Sequence, residues 1–414
     1  MLRKVSVEEL ELGMYVSELD RPWTETPFLF QGFFLQSEAD IEEVRRHCRY
    51  AYVDPAKAHP ALSEAPGARA APAASPEARP LAASRPLLQG RGGQRYEEAV
   101  PVGQEVTRAQ QAYSDAYSVL AEAFHGAFTS GKVNVPAVHE AVAGIMHSVL
   151  RNPNAFTWVT RVRRKDEYLY EHLVSTCGLA AAFGRHLGLP PEDLQALTLG
   201  ALLFDIGMIE IPREIRHKAG RLDAGELEQI RGHTEAGVRI LEASGGFSRA
   251  VLDVVRHHHE RHDGSGYPDG RGSEDTPLFA QIVGLAECYD AMTSDRPYRA
   301  ATSPHEALKA MYHWRGHEFH ADLVEEFIQS LGVYPTGTLV ELTSGQIGVV
   351  IAQNPLLRLR PKIVLLFDAE GARYDIHPAL DLAAETTDHL GNPLEIRRAV
   401  SPDQVGVDLT ELDF

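Results

Sequence analysis

The sequence predicts a mainly α-helical chain with a small α+β module before it and a small β-rich appendage after it. Three observations carry this. Helical periodicity runs through most of residues 98–330, short apolar runs surround a single helical stretch before residue 58, and the apolar period changes to two after Leu331. The 414 residues have room for about three domains.

The elements follow in order. In residues 1–57, Met14-Tyr15-Val16, Phe28-Leu29-Phe30 and Ala51-Tyr52-Val53 read as strands. Ser37 is a candidate N-cap for a helix reaching Cys48. Residues 58–95 are rich in Ala, Pro, Arg and Ser, with proline at 60, 66, 72, 76, 80 and 86. Repeated proline removes amide donors, and the shortage of large apolar residues denies a core, so this stretch is predicted to be an extended or disordered linker. Helices are predicted over 102–129, 136–150, 166–187, 191–204, 225–243, 249–259, 278–293 and 304–314. Pro191 and Pro304 suit first-turn positions, and Gly188 suits a helix end. Together these form one helical domain over 98–330 with an N-terminal helical extension. In 331–414, residues 338–342, 348–351 and 362–367 read as strands, with Ser344-Gly345 as a hairpin signal.

Composition narrows the function. Hydrophobic residues are 44% and charged residues 24%, as in a soluble globular protein. A formal net charge of −18 argues against a broad surface for nucleic-acid polymers or anionic membranes. It does not exclude a small anionic ligand, because a local metal and arginine cluster overrides the mean field. The three cysteines give no disulfide framework. The N-terminus lacks a signal-peptide core and no apolar run reaches the roughly 18 residues of a membrane span, so a cytoplasmic location is expected.

The chemistry concentrates in His257-His258-His259-Glu260-Arg261-His262-Asp263-Gly264-Ser265-Gly266-Tyr267-Pro268. Adjacent histidines cannot share one face of a regular helix, but they can converge on a metal where a helix ends, and the following glycines supply such an end. Histidine and carboxylate are the ligands expected at iron, manganese, nickel or zinc hydrolytic sites. His172, Asp205, His233, His258, His259, Glu287 and Asp290 all sit on or at the ends of predicted helices, so a bundle could gather them. Asp205 lies in the apolar run Ala201-Leu202-Leu203-Phe204-Asp205-Ile206, where an unpaired carboxylate is costly; a helix cap is the alternative to a ligand. For His172 and His233 taken singly, a core or surface histidine is the alternative, and for Glu287 and Asp290 a solvated helix face. Arg296 and Arg299 could hold phosphate oxygens through forked hydrogen bonds, or form surface ion pairs.

Together these residues resemble the HD-GYP family, the metal-dependent subgroup of the HD superfamily that hydrolyses cyclic di-GMP. The motifs are Tyr168-x-x-x-His172, Asp205-Ile206-Gly207, Ile211-Pro212, Lys218-x-Gly220-x-Leu222, His233-x-x-x-Gly237, the run from His258 to Pro268, and Ser294-Asp295-Arg296-Pro297-Tyr298-Arg299. They cover about residues 160–330, and residues 1–57 resemble the small domain that precedes many such modules. The resemblance implies an HD-superfamily helical bundle. By position it also implies that His172, Asp205, His233, His258, His259 and Glu287 are metal ligands, with Asp205 bridging two ions. It implies that Arg296 and Arg299 contact phosphates, and that Gly266-Tyr267-Pro268 lines the ligand. Tyr168 stands where members with a third metal carry Glu, so a third ion is not expected.

Three departures qualify this. The name-giving His-Asp pair is Phe204-Asp205, the lysine expected after Asp-Ile-Gly is Met208, and Glu287 replaces the usual Asp. The expectation is therefore one well-held divalent transition ion, a weakened second position, and weak or no hydrolysis of cyclic di-GMP. The alternatives are an inactive cyclic di-GMP sensor, a module docking a protein partner through the 260–272 loop, or hydrolysis of another cyclic dinucleotide or phosphoester.

Overall fold

The computed structural model describes residues 2–21, 33–35, 38–55, 93–162, 168–216, 218, 220–294, 301–354, 357–409 and 412. The strand expected at Phe28-Leu29-Phe30 and most of the expected linker, up to residue 92, lie outside the described residues. The chain forms two compact units, 1–86 and 87–414. It is mainly helical, with a small sheet in each terminal part.

Among the described residues, the first unit is an antiparallel sheet with one α-helix and a 3₁₀ turn (Val7–Glu9). Strands β1 (Arg3–Ser6), β2 (Tyr15–Leu19), β3 (Phe33–Phe34) and β4 (Tyr50–Val53) run in the order β1-β4-β2-β3. Helix α1 (Glu38–His47) carries acids in its first turn and bases in its last, both favourable to the helix dipole. Val5, Val16, Leu35, Ile41, Val44, Ala51 and Val53 form its core.

The second unit opens with two long helices. Helix α2 (Val102–Ser130) buries Val106, Ala109, Tyr113, Ala116, Leu120, Phe124 and Ala127, a stripe at helical spacing. Gly131 ends it with φ of 68°, a left-handed value that favours glycine. Helix α3 (Val135–Arg151) starts where the Asn134 side chain accepts the Ala137 amide. Arg151 forks both its bonds, 2.7 Å each, onto fully buried Glu105, fixing α3 to α2.

The bundle continues with α4 (Pro153–Val162), α5 (Tyr168–His186), α6 (Pro191–Leu203), a 3₁₀ turn (Ile206–Glu210), α7 (Arg213–Arg216), α8 (Ala224–Arg231) and α9 (His233–Ser244). It ends with α10 (Arg249–His257), α11 (Leu278–Thr293), α12 (Pro304–Trp314) and α13 (Ala321–Leu331). Helix α6 is buried on every face from Leu197 to Leu203 and packs against α3, α5, α10 and α11. Helix α4 is absent from the sequence-based elements, yet its Phe156, Trp158 and Val159 are buried.

Strands β5 (Leu339–Leu342), β6 (Ile347–Ala352), β7 (Lys362–Phe367), β8 (Ala379–Asp381) and β9 (Ile396–Val400) make an antiparallel sheet in the order β8-β7-β6-β5-β9. The chain closes on α14 (Pro402–Val405). Asn154 clips this sheet to the helices. Its Oδ1 accepts the Gln353 amide at 3.3 Å and the Thr336 hydroxyl at 3.4 Å, while its amide nitrogen donates to Glu98 at 3.2 Å.

Asn154→Ala leaves the half-buried Gln353 amide and the buried Thr336 hydroxyl without this acceptor. We expect a loss of about 1–3 kcal/mol, read as a lowered urea midpoint, with amide exchange accelerated more at Gln353 than within β6. An unchanged midpoint refutes this role for the clip.

Candidate metal centre

Four donors are brought together by three close helix approaches. Asp205 follows α6 and opens the 3₁₀ turn, which lies on α9. Gly207 makes this possible, since any Cβ there would collide with the His233 carbonyl and the Gly237 amide. A Cβ at Gly200 would strike Val254 of α10, and one at Gly284 of α11 would strike the His258 carbonyl. His233 begins α9, and His258 and His259 lie in the turn that ends α10. Leaving the helix there lets two consecutive imidazoles point the same way. The ligand atoms of Asp205, His233, His258 and His259 all lie within 4.8 Å of one another.

Hydrogen bonds behind these rings decide which nitrogen faces inward. His233 Nδ1 lies 2.7 Å from the Ile230 carbonyl, and His258 Nδ1 lies 3.1 Å from that of Val255. A carbonyl only accepts, so each Nδ1 carries the proton and each neutral ring turns a bare Nε2 to the centre. There, His233 Nε2 is 3.0 Å from Asp205 Oδ1 and 3.4 Å from His258 Nε2. Asp205 Oδ1 is buried without a hydrogen-bond donor. Lone pairs at such separations repel unless a cation lies among them, either a proton or a metal ion. Three imidazoles and one carboxylate are a sufficient donor set for a divalent transition ion.

The titration of these groups agrees. Burial opposes the Asp205 charge, but His233 and His258 outweigh it and hold the carboxyl well below the usual range. Burial works against protonated His233, yet Asp205 overrides it and raises its pKa. His259 is pushed well below the usual value by burial and by His258 and His233.

His172 stands apart from these four. Its Nδ1 lies 2.7 Å from Asp290 Oδ2, and Asp290 also accepts the hydroxyls of Ser175 and, at 3.3 Å, Ser294. Phe204, fully buried, lies edge-on to both His172 and His258, with ring centroids 6.0 and 4.9 Å away. Glu287 is half-buried and outside the converging group, though its charge acts on His172, His233 and Tyr267. Met208 is half-buried in the 3₁₀ turn. Arg296 and Arg299 lie outside the described residues.

The 260–272 loop folds over the cluster. A Cβ at Gly266 would collide with the His259 carbonyl, which pins the loop against the histidines. Tyr267 stacks on His259 at 4.6 Å and is joined to Pro268 by a cis peptide. The anchor is Glu260, whose carboxylate accepts the amides of Asp269 (2.8 Å) and Arg271 (2.9 Å). His257, Glu260 and Asp269 form a second group of potential ligands, but Asp269 is already paired with Arg256 and Arg271 at 2.8 Å each. That group ties down the loop. Sequence reasoning missed Glu260 as the anchor, Asp290 as the partner of His172 with Ser175 donating to Asp290 in turn, and Arg231, whose guanidinium lies 5.2 Å over the Tyr267 ring. Only Glu260 left a signal, by following the paired histidines directly.

Helical bundle, converging His and Asp donors and overlying loop define the HD class. Residues 158–323 match the family described as HD domain, residues 2–138 a domain of unknown function (DUF3391), and residues 339–405 a KOW domain associated with HD domain. The chain is 34% identical over 371 residues to a cyclic di-GMP phosphodiesterase of Pseudomonas aeruginosa, covering 89% of this chain and 86% of that protein. It is also 34% identical over 179 residues to the cyclic di-GMP phosphodiesterase response regulator RpfG of Xanthomonas campestris pv. campestris (41% and 47% covered). Over 152 residues it is 35% identical to the 3'3'-cGAMP-specific phosphodiesterase 1 of Vibrio cholerae (37% and 35% covered). The chain belongs to the HD-GYP family. Among the described residues no helix is long and apolar enough to cross a membrane.

Two outcomes test this geometry. Gly207→Ala forces the 3₁₀ turn off α9, and we expect metal affinity to fall about tenfold or more, measured by titration with Mn²⁺. Unchanged affinity refutes the close-approach argument. Because the pKa of His233 is raised, a proton competes with metal there. Apparent metal affinity is expected to fall as pH drops through that raised value, with proton release on binding; calorimetry in buffers of different ionisation enthalpy reads it.

Proposed function

We propose that this chain is a cyclic di-GMP phosphodiesterase of the HD-GYP type whose hydrolysis is weakened at one half of its metal centre. One observation carries the reading: Asp205, His233, His258 and His259 present a donor set to one ion, while Phe204 fills the space between that set and His172. Iron, manganese, nickel and zinc all suit three imidazoles and a carboxylate. Relatives named as cyclic di-GMP phosphodiesterases support the substrate.

A bound ion would polarise a phosphate oxygen and lower the pKa of a bound water. The chain's own residues do the rest. Ile230 and Val255 hold the His233 and His258 rings in one tautomer, and the loop anchored on Glu260 keeps Tyr267 over His259. His172 spends a ring proton on Asp290 and is separated from His258 by Phe204, so the second position has His172, Asp205 and Glu287 at most. Met208 places no cation beside the phosphate. Losing supporting groups around a metal commonly costs about 10–100-fold, and losing a direct ligand costs more.

The burial of Phe204 between two histidines favours a second reading, a cyclic di-GMP sensor that binds without turnover. Metal analysis with a turnover assay separates the two. We expect about one ion per chain and slow formation of linear product. Phe204→His combined with Met208→Lys is expected to raise both metal content and turnover, the latter by about tenfold or more. Binding without any product, even in the double variant, selects the sensor. Two tightly held ions in the unaltered chain refute the weakened centre.

A further inference from the structure

We propose that Arg231 is a phosphate-binding residue of this site; the inference rests on the cyclic di-GMP reading above and deepens it. Arg231 is the last residue of α8. Gly232 turns the chain, and His233 follows as the first residue of α9. The Gly232 amide bonds back to the carbonyls of Glu228 and Gln229, so the backbone that sets His233 also sets Arg231. The guanidinium lies 5.2 Å over the Tyr267 ring, and that ring stacks 4.6 Å from His259. A positive charge therefore stands at the edge of the donor cluster, one aromatic ring from a candidate ligand.

Its partners leave it available. The nearest carboxylate is Glu228, at 3.8 Å, with side chains 44% and 77% exposed. A pair so long and so exposed is screened and weak. The other arginines of the segment from α8 to the overlying loop are committed. Arg239 bonds Glu210 at 2.7 Å, Arg249 bonds Asp253 at 2.8 Å, and Arg256 and Arg271 share Asp269. Arg261 donates to the His258 and Glu260 carbonyls. A cyclic dinucleotide brings two phosphodiester charges to a site where position 208 is Met. Tyr267 keeps the planar guanidinium oriented, and the forked N–H groups of arginine match two phosphate oxygens.

Titration calorimetry of the full, metal-loaded chain with cyclic di-GMP, at low and high salt, tests this with Arg231→Ala and Arg231→Lys. Arg231 is exposed and ligates nothing, so melting temperature and metal content should not move. We expect Arg231→Ala to weaken binding about 10- to 100-fold at low salt, with a smaller loss at high salt and partial retention in Arg231→Lys. Unchanged affinity in Arg231→Ala overturns the proposal. So does a loss equal at both salt concentrations, which assigns Arg231 to stacking on a base. If the unaltered chain binds no cyclic di-GMP, the proposed function fails with it, which distinguishes that failure from the failure of Arg231 alone.

Discussion

Lone pairs that face each other across about a hydrogen-bond length set the requirement around which the helical unit is arranged. His233 and His258 each spend their only neutral-state proton on a backbone carbonyl at the rear of the ring. The front of each ring, together with Asp205 Oδ1, is left as a concave set of acceptors. Such a set is costly to bury alone and favourable around a cation. The chain accepts that cost because the scaffold holds the rings from behind, so binding an ion demands little reordering.

The scaffold does this through glycines rather than through large side chains. Gly200, Gly207 and Gly284 each stand where a Cβ would meet a neighbouring element. They let α10, α9 and α11 close on the centre, with Gly207 and Gly284 against backbone and Gly200 against the Val254 side chain. Two of these contacts bear on the main chain of a candidate ligand, at His233 and His258. Packing and chemistry are therefore one problem here: a methyl group at position 207 disturbs Asp205 and His233 together.

Much of this was legible in the sequence, for identifiable reasons. Long amphipathic helices such as α2 and α3 were legible by their period, while the cap at Asn134 emerged only from the structure. The donor residues were legible because histidines in series leave few alternatives. Helix α4 was not, since it is short and begins two residues after α3 ends, and β8 and β9 were not, because neither alternates cleanly. The pairing of His172 with Asp290 was invisible because it joins residues 118 positions apart through packing alone. The position of Arg231 over Tyr267 was equally hidden, since an arginine at a helix end reads first as a complement to the helix dipole.

The grip of Glu260 on the overlying loop has a consequence for how such a protein can change over time. Its carboxylate accepts the main-chain amides of Asp269 and Arg271. At those two positions the grip of Glu260 needs no particular side chain. The exposed residue Ser265 takes no part in that grip. Selection could remodel the outer rim for new molecular company while the chemistry beneath stays untouched.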